Sequence, residues 1–308
     1  MSARQLIILG TASQAPTRRR AHNGYVLRWD DQLILFDPGE GAQRQCILAG
    51  IAVARLTAVC ITHFHGDHCL GLPGIIQRRA LDARSSPDGL PPLPIFHPAA
   101  DTDYLERMRR AAVFYDTSRV EARPVEGPGP LGRLGSTELG AEVLEHRVTT
   151  FGYRLDEPDG ISLDPRRLAE RGIAGPDVGL LRDRGWLDTP SGRVGLDEVS
   201  RPRRGQSMAF IMDTALCDGA RALAHGADLA LCESTYLDEH RDLAARYRHL
   251  TAAQAGRMAS QVGVRRLVLS HFSARYTEAG VFAQEASAYH DDVVEAEDLG
   301  VVQVPPRP

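Results

Sequence analysis

The 308-residue sequence contains no lysine; all 36 of its basic residues are arginine. It also lacks any apolar run near the roughly 20 residues that cross a bilayer, so no membrane partner is expected. Cysteine is sparse: Cys46, Cys60, Cys69, Cys217 and Cys232 are odd in number and show no CxxC spacing. That pattern speaks against a disulfide framework and for reduced thiols in the cytoplasm. A formal net charge of −4 argues against indiscriminate nucleic-acid binding. The arginine-only usage fits a compositional bias of the source genome. Arginine's planar fork is nevertheless the better group for gripping phosphate, so an RNA substrate stays open. Met1 to Gly10 has only the short apolar run Leu6 to Leu9 and no cleavage signature. It is expected to be a first strand and not a signal peptide.

What is present is concentrated in Ile61-Thr62-His63-Phe64-His65-Gly66-Asp67-His68. The apolar run Leu56 to Ile61 before it reads as a buried strand, and Leu70 to Ile76 after it as a helix start. The histidines are therefore expected on a tight loop at a strand's C-terminal end. Imidazole and carboxylate without thiolate suit zinc, manganese or iron. Four donors crowded on one loop surround a single ion poorly. Two neighbouring ions, one facing His63 and His65 and the other Asp67 and His68, are easier to satisfy.

Along the chain, strands repeatedly end in a residue of metal-binding or acid–base type. Leu33 to Phe36 ends at Asp37, which could hydrogen-bond loop amides or a metal-ligand imidazole, or cap a helix. Glu142 to His146 alternates in strand fashion and ends in histidine. Met208 to Met212 ends at Asp213, Leu229 to Cys232 at Glu233, and Arg266 to Ser270 at His271. Alternation of such strands with helices is how an α/β enzyme gathers a site at one sheet edge. Pro124 to Leu134 is expected to be loop. Residues 156 to 204, dense in Gly, Pro, Asp and Arg, are expected to form a protruding arm with little core.

The pattern His-x-His-x-Asp-His at residues 63 to 68 resembles the metallo-β-lactamase superfamily, whose fold is a four-layer αβ/βα sandwich. Phe36 to Gln45, His271-Phe272-Ser273-Ala274-Arg275-Tyr276 and the arm containing Gly175-Pro176 resemble the ribonuclease Z family, tRNA 3′-processing endonucleases. The resemblance implies a catalytic domain of residues 1–155 and 205–308 and an inserted tRNA-binding arm of 156–204. It implies two zinc ions per subunit: His63, His65 and His146 on one, Asp67, His68 and His271 on the other, and Asp213 bridging. Asp67 would also act as base, with Glu233 and His249 delivering a proton to the departing oxygen. Asp37 would support a ligand, and Arg275 would hold a substrate phosphate. The implied partners are precursor tRNA and a second copy of the chain. Cys232 and Leu250 stand where many relatives carry histidine and serine, and Met212 where glycine is common.

The expected reaction is two-metal hydroxide attack on the phosphodiester, leaving a 3′-hydroxyl on the tRNA and a 5′-phosphate on the trailer. A small-molecule hydrolase on the same scaffold would not need the arm. A scaffold protein with structural zinc would not need seven donors and a spare acid–base pair.

Overall fold

Alternate residues of two sets of strands face two different apolar layers, and this alternation builds the molecule. In Gln5–Gly10, Leu6 and Ile8 enter one layer while Ile7 and Leu9 enter another. In Ser207–Ile211, Met208 and Phe210 face the first of these and Ala209 and Ile211 a third. The structure is a computed structural model that describes residues 4–307; residues 1–3 and 308 lie outside it. The first strand accordingly begins, within the described residues, at Gln5.

One seven-stranded sheet runs in the order Val301–Gln303, Gln5–Gly10, Gly24–Trp29, Gln32–Phe36, Ala58–Cys60, Leu93–Pro98, Val120–Val125. Its first pairs are antiparallel and its last three parallel. The other sheet runs Val293–Glu295, Arg266–Ser270, Leu229–Glu233, Ser207–Ile211, Thr150–Asp156, Thr137–Leu144, Gly129–Leu134. Here the first three pairs are parallel and the rest antiparallel. The sheets meet face to face through Phe36 stacked on Phe210 at 4.5 Å and Tyr25 edge-on to Phe210 at 5.4 Å. Tyr25 and Tyr153 are fully buried, and each donates its hydroxyl across the layer, to Ser270 Oγ and the Ile61 carbonyl respectively, both at 2.7 Å. Helices Ala42–Leu48, Leu72–Arg84 and Thr102–Arg109 cover the first sheet through Cys46, Leu72, Ile75 and Leu105. Asp218–Ala224, Ala252–Val262 and Val281–Ala286 cover the second. This is the expected αβ/βα sandwich.

Two segments differ from the sequence expectation. Pro124 to Leu134 is not simply loop: Val120–Val125 reaches into it and Gly129–Leu134 is an edge strand. An outermost strand needs only one row of hydrogen bonds, so Pro130 is tolerated there, and the register shifts between Pro130 and Gly132 as at a bulge. The segment expected to offer little core has one of its own. Residues 157–206, with Arg307, form a second compact unit. Leu168, Ile173, Leu181, Val194 and Val199 are buried within it, among helices Pro165–Glu170 and Pro176–Arg184 and two short antiparallel strand pairs. Each of these elements contributes only one or two apolar residues, so no run announces them.

Candidate active site

Asp37, Asp213 and His271 each follow the last residues of a strand, and each has a positive φ, of 43°, 41° and 64°. Left-handed backbone is uncommon outside glycine and accumulates where a chain is bent to aim a side chain. The motif loop is bent as tightly. His63 and His65 sit on the loop, but Asp67 and His68 fall on a one-turn helix, Gly66–Cys69, so the helix begins earlier than the apolar pattern suggested. A Cβ on Gly39 would lie 2.3 Å from the Asp67 carbonyl oxygen, so the Asp37–Gly41 turn can press against this helix only as glycine.

The donors from both sheets converge. His63, His65, His146 and Asp213 offer atoms all within 4.8 Å of one another, as do Asp67, His68 and His271. Asp213 faces both groups. Its Oδ2 lies 3.7 Å from His63 Nε2 and 3.6 Å from His146 Nε2. Its Oδ1 lies 3.3 Å from His68 Nε2 and 3.1 Å from His271 Nε2. Asp67 Oδ2 is 3.4 Å from His271 Nε2 and 3.5 Å from His68 Nε2. Asp213 Oδ1 and His146 Nε2 are buried and make no hydrogen bond. Orphaned lone pairs of this kind, in a closed ring of imidazoles and carboxylates, suit a divalent metal.

Protonation follows the same arrangement. Burial pushes His63 well below its ordinary value and lowers His65 and His146, leaving neutral rings with free lone pairs. Burial works to raise Asp213, but His271 and His68 hold it well below the usual carboxylate range. His68 goes the other way. Burial opposes its charge, yet Asp213, Asp67 and Asp37 raise it well above its ordinary value.

The ring nitrogens facing away from the donor ring are held too. His68 Nδ1 lies 2.8 Å from Asp37 Oδ2, and Asp37 also accepts the amide and hydroxyl of Thr62. Asp37 is not a helix cap: the helix behind it is entered through Gly41 without a side-chain cap. Thr235 Oγ1 meets His271 Nδ1 at 2.9 Å, and His146 Nδ1 meets the Arg248 carbonyl at 3.2 Å. Fixing the far nitrogen selects the tautomer that presents Nε2 inward. Thr235, Asn23 (2.8 Å from His68 Nδ1) and the Gln14 amide, which donates to Asp67 Oδ2 at 2.7 Å, were not singled out from sequence. None of them is of a ligand type, and only their position reveals them.

Glu233 is fully buried. Its Oε1 accepts the Thr214 amide and lies 2.9 Å from His249 Nδ1, while Oε2 accepts the Thr235 hydroxyl. Burial disfavours a charged ring at His249, yet Glu233 and then Asp213 raise it to about 9. His249 lines the open cleft with His65, Asp67, Asp213 and Arg275. Arg275 is exposed and forms no ion pair among the described residues, which removes the salt-bridge alternative. Cys232 and Leu250 are buried under the helices of the second sheet, and Met212 between the sheets. The departures from the family pattern thus lie in packing layers.

The sequence profile of the metallo-β-lactamase superfamily matches residues 17–151. A ribonuclease Z of Salinispora arenicola is 52% identical over all of this chain and 98% of its own length. One from Streptomyces coelicolor is 50% identical over the whole of both. The chain belongs to the ribonuclease Z family. Human tRNase Z, short form, is 23% identical and superposes with a TM-score of 0.67 over 98% of this chain and 100% of its own. The metallo-β-lactamase fold protein YhfI from Bacillus subtilis gives 0.69 over 97% and 98% at 17% identity. Both likenesses establish the fold.

Proposed function

We propose that this chain is a zinc-dependent endoribonuclease that removes 3′ trailers from precursor tRNA. The single observation that carries the reading is identity of about half over the full length to proteins named ribonuclease Z. The split of Asp213's two oxygens between two donor groups supports it. His63, His65 and His146 would hold one zinc, Asp67, His68 and His271 the other, with Asp213 between them. Zinc in such a pair supplies hydroxide near neutral pH and offsets the charge that develops on a phosphoryl group.

The chain's own residues do the rest. Asp67, fixed by the Gln14 amide, is anionic and placed to act as base. His249, with Nδ1 held by Glu233, keeps a proton at neutral pH and can give it from Nε2 to the leaving 3′ oxygen. Asp37 holds His68 from behind. Arg275, beside the Tyr236 hydroxyl at the cleft and in no ion pair with a carboxylate among the described residues, can take a phosphate oxygen. Residues 157–206, with their separate core, would serve as the arm that grips the tRNA body. The assembly would be a homodimer and its place the cytoplasm, where precursor tRNA is processed. No helix among the described residues is long and apolar enough to cross a membrane.

End-mapping of a cleaved precursor tRNA tests this. The expected products are a tRNA ending in a 3′-hydroxyl and a trailer beginning with a 5′-phosphate, both lost with chelator and restored by zinc. A 2′,3′-cyclic phosphate at the cut, or cutting that survives metal removal, would overturn it.

A further inference from the structure

The rim of the cleft carries a cluster that the chemistry above does not use. Arg147 directly follows His146, and its guanidinium lies over the Tyr247 ring, 4.8 Å from the centroid. Arg246 lies over the same ring at 5.8 Å. Arg147 is anchored by donating to the Arg246 carbonyl at 3.1 Å, and Arg248 by donating to the His146 carbonyl at 2.8 Å. Arg248 has φ of 57°, so the backbone makes a left-handed turn between Tyr247 and His249. Arg147, Arg246 and Arg248 are exposed, and none makes an ion pair with a carboxylate among the described residues. Arg147 and Tyr247 both line the cleft beside His146 and His249.

Unpaired guanidinium groups around a half-exposed aromatic ring are the elements of a single-stranded nucleic-acid site. The ring accepts any base by stacking, and the cations take the flanking phosphate. Backbone contacts of this kind position a strand without reading its sequence. We propose that Arg147 and Tyr247 form a nucleotide shelf that holds the residue on the tRNA side of the scissile phosphate. Tyr247 stacks its base, and Arg147 takes the phosphate 5′ of it. The side follows from His249, which rests on the functional reading above. His249 protonates the 3′ oxygen that leaves, and that oxygen belongs to the upstream nucleotide. A shelf two residues before His249 in the chain, on the same wall, therefore receives that nucleotide. No base preference follows.

The test uses the full chain loaded with zinc, with cleavage of a precursor tRNA and hydrolysis of bis(p-nitrophenyl) phosphate measured in parallel. For Tyr247→Ala, the ratio of RNA to small-diester kcat/KM falls about 5- to 150-fold, the range that loss of one base stack gives. Tyr247→Phe restores it. For Arg147→Ala, the ratio falls and the dependence of log KM on log salt is shallower by about 0.7, one phosphate contact to a single strand. The decisive arm places an abasic residue just upstream or just downstream of the cut. The Tyr247→Ala penalty should vanish on the upstream abasic substrate and persist on the downstream one. The reverse pattern would overturn the assignment of the side. A penalty that is equal on both RNAs and on the small diester would overturn the shelf, because Tyr247 would then act only through His249. Wild-type protein that hydrolyses the small diester but cuts no precursor tRNA would instead overturn the functional reading, and the shelf with it.

Discussion

Glu233 Oε1 and His249 Nδ1 lie 2.9 Å apart, and the carboxylate is buried completely while the imidazole reaches the cleft. The pair joins the end of strand Leu229–Glu233 to the turn before helix Ala252–Val262, so its geometry is set by two packed elements. If His249 protonates the leaving oxygen, His249→Asn and Glu233→Gln should each lower kcat on precursor tRNA by about 10²- to 10⁴-fold. Bound zinc should stay at the wild-type level in His249→Asn, measured by elemental analysis. Loss of metal together with turnover would make His249 a ligand and not an acid.

Asp213 is the residue both donor groups share. Asp213→Ala should therefore lower the zinc content of the purified protein below two per chain and abolish cleavage at any pH. Metal titration followed by calorimetry reads this directly. Turnover that persists with full metal content would remove Asp213 from its bridging place.

A different residue carries stability. Arg79 is fully buried, and its guanidinium donates to the carbonyls of Ala54, Leu56, Pro91 and Ser118 without a carboxylate among them. It ties the loop before strand Ala58–Cys60 to the segments that lead into strands Leu93–Pro98 and Val120–Val125. Each buried carbonyl left unpaired costs about 1–3 kcal/mol, so Arg79→Met should destabilise by roughly 3 kcal/mol or more. Urea unfolding checks it. A midpoint unchanged from wild type would mean that water replaces the four contacts.

Excision of 157–206 should separate binding from chemistry. Asp156 and Ser207 are paired across neighbouring strands, so the cut ends are already side by side and a short glycine linker can rejoin them. The shortened chain should still hydrolyse a small phosphodiester but lose most cleavage of precursor tRNA. Equal activity on precursor tRNA before and after excision would take the tRNA-gripping role away from this unit.

Asp298 gives a pH dependence away from the donor cluster. Burial raises its pKa above the ordinary value, against hydrogen bonds from the Ala21 amide and the Thr11 hydroxyl. The folded state thus holds this proton to a higher pH than the unfolded chain does. The contribution of Asp298 to stability falls as pH rises from its unfolded pKa, about 3.9, through its folded value. Wild type should accordingly gain stability relative to Asp298→Asn as pH is lowered through that window. A difference between the two proteins that stays flat with pH would exclude the shift.

Much of the site was legible because ligand chemistry is carried by few residue types. His63 to His68 form a dense motif, and Asp37, Asp213, Glu233 and His271 announce themselves at the ends of apolar runs. Their convergence from both sheets could not be read so directly, since it depends on which strand pairs with which. The positive φ at Asp37, Asp213 and His271 had no sequence signal, because none of the three is glycine. Thr235 and the Gln14 amide were invisible for a related reason: a hydroxyl or a backbone N–H matters only where it points. The small core of 157–206 escaped notice because Leu168, Ile173, Leu181, Val194 and Val199 are spread one to an element.

The pairing of Val301–Gln303 with Gln5–Ile7 has a consequence for synthesis. The first sheet is not complete until residue 303 has left the ribosome, long after its other strands and only shortly after His271. A nascent fragment that already carries His63 to His68 still lacks His146, Asp213 and His271, the donors that meet it from the second sheet. The donor ring can therefore close only after the strands of the second sheet have been made.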